Sequence, residues 1–271
     1  MAIDHYENFP VASILLPRRF RHAVETIYRF ARQADDFADE GNLSDEQRLA
    51  NLGEFRAELI RIASHETPLT PLFVDLAGIV AQYQLPLQLF HDLLDAFTQD
   101  VIKKRYANYD ELLHYCRRSA NPVGRLLLHL YQQATAQNLN YSDAVCTSLQ
   151  LINFWQDVKK DYAIGRIYLP QDDLACYGVT EQYIIEERVD AAWWVLMQFQ
   201  VQRARELMNN GAPLGSILTG RVGLEMRLII AGGNRILSQL EKNNYDMFRH
   251  RPALRPWDWV IMLGRSAPFY F

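Results

Sequence analysis

Apolar residues recur along this chain every three to four positions, the period of a helix with one buried face, and no stretch of useful length alternates with the period of two that marks a strand. After Pro17, RRFRHAVETIYRFARQADDFADE places Val24, Ile27, Ala31, Ala34 and Ala38 on one stripe. That predicts a helix with proline at its first turn and Gly41 at its end. The pattern continues over residues 45–63 and 72–83, with breaks at Pro68 and Pro71, and Pro86 opens another helix through Phe97 and Asp100. These three segments read as scaffold.

From Tyr109 a longer pattern, DELLHYCRRSANPVGRLLLHLYQQA, is interrupted at Asn121 and Pro122. Proline inside a helix frees a carbonyl one turn back and bends the axis, while Gly124 permits close approach of another chain or a ligand. The break reads either as a plain kink or as a device that aims Arg117 or Arg118 at a cavity. LQLINFWQDVKKDYAIGRIYLP (residues 149–170) begins as a helix, and GRIYLP with QDDLACYGV reads as a loop. A helix through Trp193, Trp194 and Phe199 to Met208 follows. A last pattern runs from Pro213 to Lys242 despite Gly215, Gly220, Gly223, Gly232 and Gly233, whose density predicts tight helix packing or local breaks. The expected class is all-α in a single domain over 1–271, with no internal repeat.

Composition narrows the partners. The 271 residues are 49% hydrophobic, enough for a sizeable core, and carry a net charge of −4, which offers nucleic acid no general attraction. Cys116, Cys146 and Cys176 are odd in number and lack CxxC spacing, which fits a reducing cytoplasm better than a disulfide framework or a zinc site. The N-terminus does not read as a signal peptide, and no apolar run reaches the roughly 18 residues that span a bilayer. Trp257, Trp259, Val260, Ile261 and Met262 leave room for peripheral contact with a membrane surface, although packing on the body is the simpler reading.

Two polar stripes stand out. Gln150, Asn153, Asp157 and Asp161 are spaced by three, four and four, so they stack on one helical face, while Leu151, Trp155, Val158 and Tyr162 form a separate apolar stripe. Tyr28, Arg32, Asp35 and Asp39 stack likewise on the first helix, with Asp36 alongside. There the basic residues Arg18, Arg19 and Arg21 sit at the start and the acidic ones at the end, the reverse of what the helix dipole favours, so a compensating cation from outside is expected. A solvated acidic end with Arg32 paired to Asp36 is the plainer reading of one stripe, and a lysine-flanked surface that of the other. Taken together, two oxygen-rich faces, several arginines and many aromatics suit ionisation of an allylic diphosphate: carboxylates hold Mg²⁺, cations take the leaving group's charge, and aromatic faces tolerate a carbocation. No GxSxG, HExxH, Walker loop or GxGxxG is present.

These residues carry a resemblance. HYENFPVASILLPRRFRHAVETIYRFARQADDFADE, RRSANPVGRLLL and LQLINFWQDVKKDYAIGRIYLPQDDL, nearly end to end, resemble the squalene/phytoene synthases, which implies an isoprenoid synthase fold, a single helical bundle around a central cavity. By that resemblance Asp35, Asp36 and Asp39 match the first aspartate-rich motif, and Asp157 and Asp161 the second, with Gln150 and Asn153 beside them; two or three Mg²⁺ ions are implied. Phe9, Tyr28, Arg32, Arg166, Tyr168 and the YDMFRHR segment, including Tyr245 and Arg249, match positions that line the diphosphate and prenyl sites.

NFPVAS and NPVG look like the hydroxysqualene synthase branch of bacterial hopanoid biosynthesis. That implies ionisation of presqualene diphosphate, rearrangement and quenching by water, without NADPH, together with functional coupling to other hopanoid-pathway enzymes. A condensing relative that makes presqualene diphosphate, squalene, dehydrosqualene or phytoene is the alternative, and a non-catalytic helical partner protein the remote one. Gln156 departs from the family, where arginine often precedes the aspartate. Arg249, Arg251 and Arg255 could meet an anion, and Gln150, Asn153 and Tyr168 could hold the quenching water. Removing Asp35 or Asp157 is expected to abolish turnover and to leave stability unchanged or slightly raised, by relief of like-charge repulsion.

Overall fold

The computed structural model describes residues 16–39, 41–255, 257, 258 and 262. A 3-10 turn at Arg18–Phe20 leads into α1 (Arg21–Asp39), followed by α2 (Asp45–Ala63), α3 (Pro71–Tyr83), α4 (Leu87–Ile102), α5 (Tyr109–Ser119) and α6 (Asn121–Leu130). The second half comprises α7 (Ala136–Ala163), α8 (Gln171–Cys176), α9 (Glu181–Ile185), α10 (Ala191–Gly211), α11 (Leu214–Ile217) and α12 (Gly220–Lys242). The class is all-α. The one β-type pairing among the described residues is an isolated parallel bridge between Arg105 and Ile167.

Local chemistry sets the boundaries. Ser44 and Gln47 form a reciprocal capping box at α2, and Asn108, Thr135 and Asp190 each accept from a first-turn N–H of α5, α7 and α10. The Asn121–Pro122 interruption is a full break rather than a bend. α5 ends at Ser119 and α6 starts at Asn121, with Ala120 between them at φ −115°, ψ −47°, and Pro122 falls in the first turn of α6, where a missing N–H costs no intrahelical bond. One other expectation needs correction: QDDLAC folds as the short helix α8, started by Pro170. The final pattern shows the local break and tight packing that its glycines predicted, dividing at Leu218–Thr219 into α11 and α12. A Cβ at Gly223 would lie 1.9 Å from the Leu218 carbonyl oxygen, so the chain can fold back this tightly only on glycine.

The apolar faces gather into two large clusters. One joins α1, α2, α3, α4 and α6 around Phe30, fully buried, whose ring centroid lies 5.6, 5.8 and 5.2 Å from those of Phe55, Phe73 and Phe90. The other wraps α5, α10 and α12 around α7, with Trp155 and Trp193 wholly buried. Gly124 lets α6 lie on α7, since a Cβ there would come within 2.3 Å of Ser142 Oγ and 2.6 Å of Cys146 Sγ.

The α4 helix belongs to both clusters, and the chain after it is laced to the segment after α7. Ile167 N–H donates to Lys104 O (3.0 Å), Gln171 N–H to Tyr106 O (2.9 Å) and Asp172 N–H to Ala107 O (3.1 Å). That lacing brings the carboxyl ends of α1, α4 and α7 to one seam. All three cysteines are free thiols, and among the described residues no helix is long and apolar enough to cross a membrane. Met262 is buried, Trp257 is exposed, and Trp259, Val260 and Ile261 lie outside the described residues.

Phe30→Ala should cost about 3–5 kcal/mol, because it empties a site enclosed by three other rings. Urea denaturation followed by circular dichroism measures this; a loss under about 1 kcal/mol would mean that the first cluster is not packed as described.

Candidate active site

At the end of α1, Arg32 Nη2 contacts Asp36 Oδ1 at 2.8 Å, and Arg32 Nη1 lies 3.7 Å from Asp35 Oδ2. Asp39 takes its cation from far along the chain: both Nη groups of Arg166 fork onto its carboxylate, the Nη1 bond measuring 2.9 Å. Arg166 is itself buried; its Nη2 also reaches the Asp100 carbonyl (3.0 Å), and its backbone N–H donates to Asp161 O (2.8 Å). This is the outside cation that the reversed charge order of α1 demands. On α7, Asp157 departs from helical geometry (φ −108°, ψ 15°), and its buried carboxylate accepts from Arg251 Nε (2.6 Å) and Nη2 (2.9 Å). Lys160 Nζ stands 3.6 Å away.

Three further carboxyls lack so full a counterion. Burial, then the charges of Asp157 and Asp39, push Asp161 up to about 8 against the pull of Arg166. Burial and the Asp39 charge push Asp35 up to about 7, with Arg32 opposing. Asp100 on α4, 4% exposed, is raised to about 7 mainly by burial, although Arg166 and a 2.7 Å hydrogen bond donated by the Tyr115 hydroxyl favour its ionised form. Its second oxygen, Oδ1, is buried without a hydrogen-bond partner. Because Asp161 feels Asp39, and Asp35 feels Asp100, the carboxylates of α1, α4 and α7 share one electrostatic environment.

Beside them lies a wall of rings. Phe154 and Tyr168 stack with centroids 3.7 Å apart and planes 9° from parallel, and Tyr106 and Tyr115 pack on Tyr168 at 5.6 and 5.9 Å. All four are buried.

The structure thus brings together Asp35, Asp36, Asp39, Arg32, Asp157, Asp161, Arg166 and Tyr168. Tyr28 is half-buried on α1, Gln150 is half-buried on α7, and Asn153 is exposed. Phe9 lies outside the described residues. Tyr245 is buried against α10, its carbonyl accepting from Trp193 Nε1 (3.0 Å) and its ring edge-on to Trp194. Arg249 pairs with Asp246 (3.0 Å) and donates to Glu187 O, so Arg251, two residues on, is the member of this segment that reaches the aspartates.

Asp100 and Tyr115 were overlooked within a helix read as scaffold and in the pattern after it. The available signal was a carboxylate at the end of the Leu89, Leu93, Ala96 stripe, where burial without a purpose would be costly. Arg117 and Arg118 do line a cavity, of about 560 Å³, together with His114, Asn121 and Arg125.

Among the described residues no three His, Cys, Asp or Glu side chains are drawn together into a ready metal cage. The donor set nonetheless fits a hard divalent cation: every candidate donor is oxygen, and Asp35 and Asp161 carry a proton affinity that marks negative charge in want of a partner.

An all-α body with facing aspartate-rich helix ends, three arginines paired to them and an adjoining aromatic wall defines a protein equipped to bind a diphosphate on an apolar chain. The squalene/phytoene synthase model matches residues 3–258, and the chain belongs to that family of isoprenoid-processing enzymes, whose substrates are prenyl diphosphates. It is 37% identical over 257 residues to a hydroxysqualene synthase of Rhodopseudomonas palustris (94% of this chain, 86% of the relative). It is 32% identical over 264 residues to one of Sinorhizobium fredii (96% and 87%). The crystal structure of squalene synthase HpnC from Alicyclobacillus acidocaldarius superposes with a TM-score of 0.83 at 36% identity, covering 90% of this chain and 91% of that one.

The raised carboxyls set a pH dependence. The metal-free folded protein holds protons at Asp35, Asp100 and Asp161 that the unfolded chain releases near 3.8, so their contribution to stability is full below that value and is lost as pH rises to about 7 to 8. Without divalent cations, these groups should make the melting temperature fall between about pH 4 and about pH 8, and Asp161→Asn should flatten the fall. Equal slopes in the two proteins would remove Asp161 from the account.

Proposed function

We propose that this protein converts presqualene diphosphate into hydroxysqualene and diphosphate, with water supplying the hydroxyl. The observation that carries the reading is the juxtaposition of the carboxylate and arginine seam with the ring wall of Phe154, Tyr168, Tyr106 and Tyr115; the hydroxysqualene synthases among its relatives favour this product over others in the family. In the ionisation step the carbon–oxygen bond to diphosphate breaks and its electron pair leaves with the diphosphate. Arg32, Arg166 and Arg251 are available to take up that charge. Ring faces stabilise the cation left behind, by about 0.5–2 kcal/mol for each well-placed ring, and the apolar wall restricts water. After rearrangement one water oxygen bonds to the cationic carbon and releases a proton to the departing diphosphate or a carboxylate.

Mg²⁺, held by Asp35, Asp39, Asp157 and Asp161 with Asp36 and Asn153 beside them, would supply Lewis-acid neutralisation of the diphosphate. Reaction by water requires no reductant. Gln150 and Asn153 on α7, with Tyr168, are the side chains assigned to positioning that water.

Asp35→Ala and Asp157→Ala should each lower turnover at saturating Mg²⁺ by about a hundredfold or more. Their stabilities should diverge. Asp35→Ala relieves a partly buried carboxyl repelled by Asp39 and should raise the melting temperature of the metal-free protein. For Asp157 the expectation of unchanged stability is revised, because the substitution removes the carboxylate that accepts both forked bonds of Arg251 and should cost about 1–3 kcal/mol. Near-normal turnover in both variants would sink the metal assignment.

The product is decided by incubating the protein with Mg²⁺ and presqualene diphosphate in ¹⁸O-labelled water. The label should enter the alcohol, and added NADPH should not divert the product to squalene. Unlabelled alcohol, or mainly squalene with NADPH, would place the enzyme on another branch of the family.

A further inference from the structure

Arg117 and Arg118, in the last turn of α5, take no part in the aspartate seam. They line the cavity of about 560 Å³ together with Arg125 of α6, and no residue of the seam or of the ring wall borders it. Two basic residues in a last helical turn suit the helix dipole on their own. The dipole does not account for a third arginine brought to the same space from another helix, nor for a hollow within the range of small-molecule sites.

The charges around this hollow do not cancel. Arg125 is neutralised by Asp143, which accepts from its Nε and Nη2 at 2.8 and 2.6 Å. Those bonds do most to raise the Arg125 pKa, and the charge of Asp92, the other lining carboxylate, adds to them. Arg118 is held by neutral groups: Nη2 donates to Gln99 Oε1 (2.5 Å) and His114 Nδ1 (3.3 Å), while Nε is buried without a hydrogen-bond partner. A guanidinium can only donate, so His114 Nδ1 is the acceptor and its Nε2 a further donor on the lining. Arg117 is exposed and has no ion pair among the described residues. Two guanidinium charges therefore border one space with only Asp92 left to meet them, in a chain whose net charge is −4.

A single carboxylate is satisfied by one arginine fork, as Asp143 shows. A phosphate group offers more oxygens and more charge than that, and suits two adjacent guanidinium groups. Gln99 already holds Arg118 in place, which lowers the ordering cost of binding.

We propose that this cavity is a second anion site, separate from the seam, that binds a phosphate group through Arg117 and Arg118. Leu113 and Leu207 on its lining offer a surface to a short apolar chain if the phosphate carries one. The inference does not rest on the proposed reaction.

Calorimetric titration of the full-length chain without divalent cations tests it, with inorganic diphosphate and dimethylallyl diphosphate as separate probes. Omitting the metal leaves the seam's aspartates to repel both. Arg117→Gln should weaken diphosphate binding about fivefold, and Asp92→Asn should strengthen it about twofold to fivefold, two shifts of opposite sign. Arg117 is exposed, so its replacement does not threaten the fold, and Arg117→Gln should keep wild-type turnover of presqualene diphosphate. Acetate should compete at least about tenfold less well than diphosphate.

Tighter binding of dimethylallyl diphosphate than of inorganic diphosphate would make an organic phosphate the ligand, and equal constants the free anion. No binding to the wild type, constants unchanged in both variants, or acetate competing as well as diphosphate would overturn the site. Loss of turnover in Arg117→Gln together with the weakened binding would move the anion to the seam and overturn it too.

Discussion

Carboxylates crowded into a partly desolvated seam are the constraint on which this architecture turns. Six aspartates, from α1, α4 and α7, converge where the two apolar clusters meet, and each charge there is costly unless a cation or a proton accompanies it. The chain answers with three arginines from three places in sequence: Arg32 within α1, Arg166 after α7 and Arg251 after α12. Two of these pairs close long loops, so the seam organises the tertiary fold as well as the chemistry. Arg166 in particular ties the α1 cluster to the α7 cluster and reaches α4 with the same guanidinium.

The seam also shows why a stable fold and a reactive site can coexist. Asp39 and Asp157 are satisfied by forked arginines, whereas Asp35, Asp100 and Asp161 remain short of positive charge and rise in proton affinity. In the proposed reaction a site of that kind would take a ligand that brings cations and anions together, as a metal-bound diphosphate does. The rings beside it complete the requirement for an electron-deficient apolar chain, since they offer polarisable faces without a nucleophile stronger than a tyrosine hydroxyl. Membership of the squalene/phytoene synthases and the resemblance to hydroxysqualene synthases agree with that division of labour.

The segment beyond α12 reaches the site although it follows the last long helix. Its contacts with Gln156, Asp157 and Trp193 make it a strap across α7 and α10.

Helix class, the limits of the helices in the first hundred residues and both aspartate motifs were legible in the sequence, because they depend on local periodicity, caps and spacing within single helices. The Asp35, Asp36, Asp39 and Asp157, Asp161 sets needed only the three-to-four repeat, and the reversed charge order of α1 called for an outside cation before that cation was known. Which residue supplied it was not legible, since Arg166 and Asp39 are far apart in the chain and nothing local joins them. The same holds for Arg251 in place of Arg249, for Asp100 with Tyr115, and for the place at which a glycine-bound turn divides α11 from α12. Each depends on long-range packing: the lacing of the segments after α4 and α7, the docking of the strap on α7, and the fold-back of Gly223 against Leu218. A sequence declares which residues share a face of one helix, and only the packed structure decides which faces, and therefore which charges, must meet.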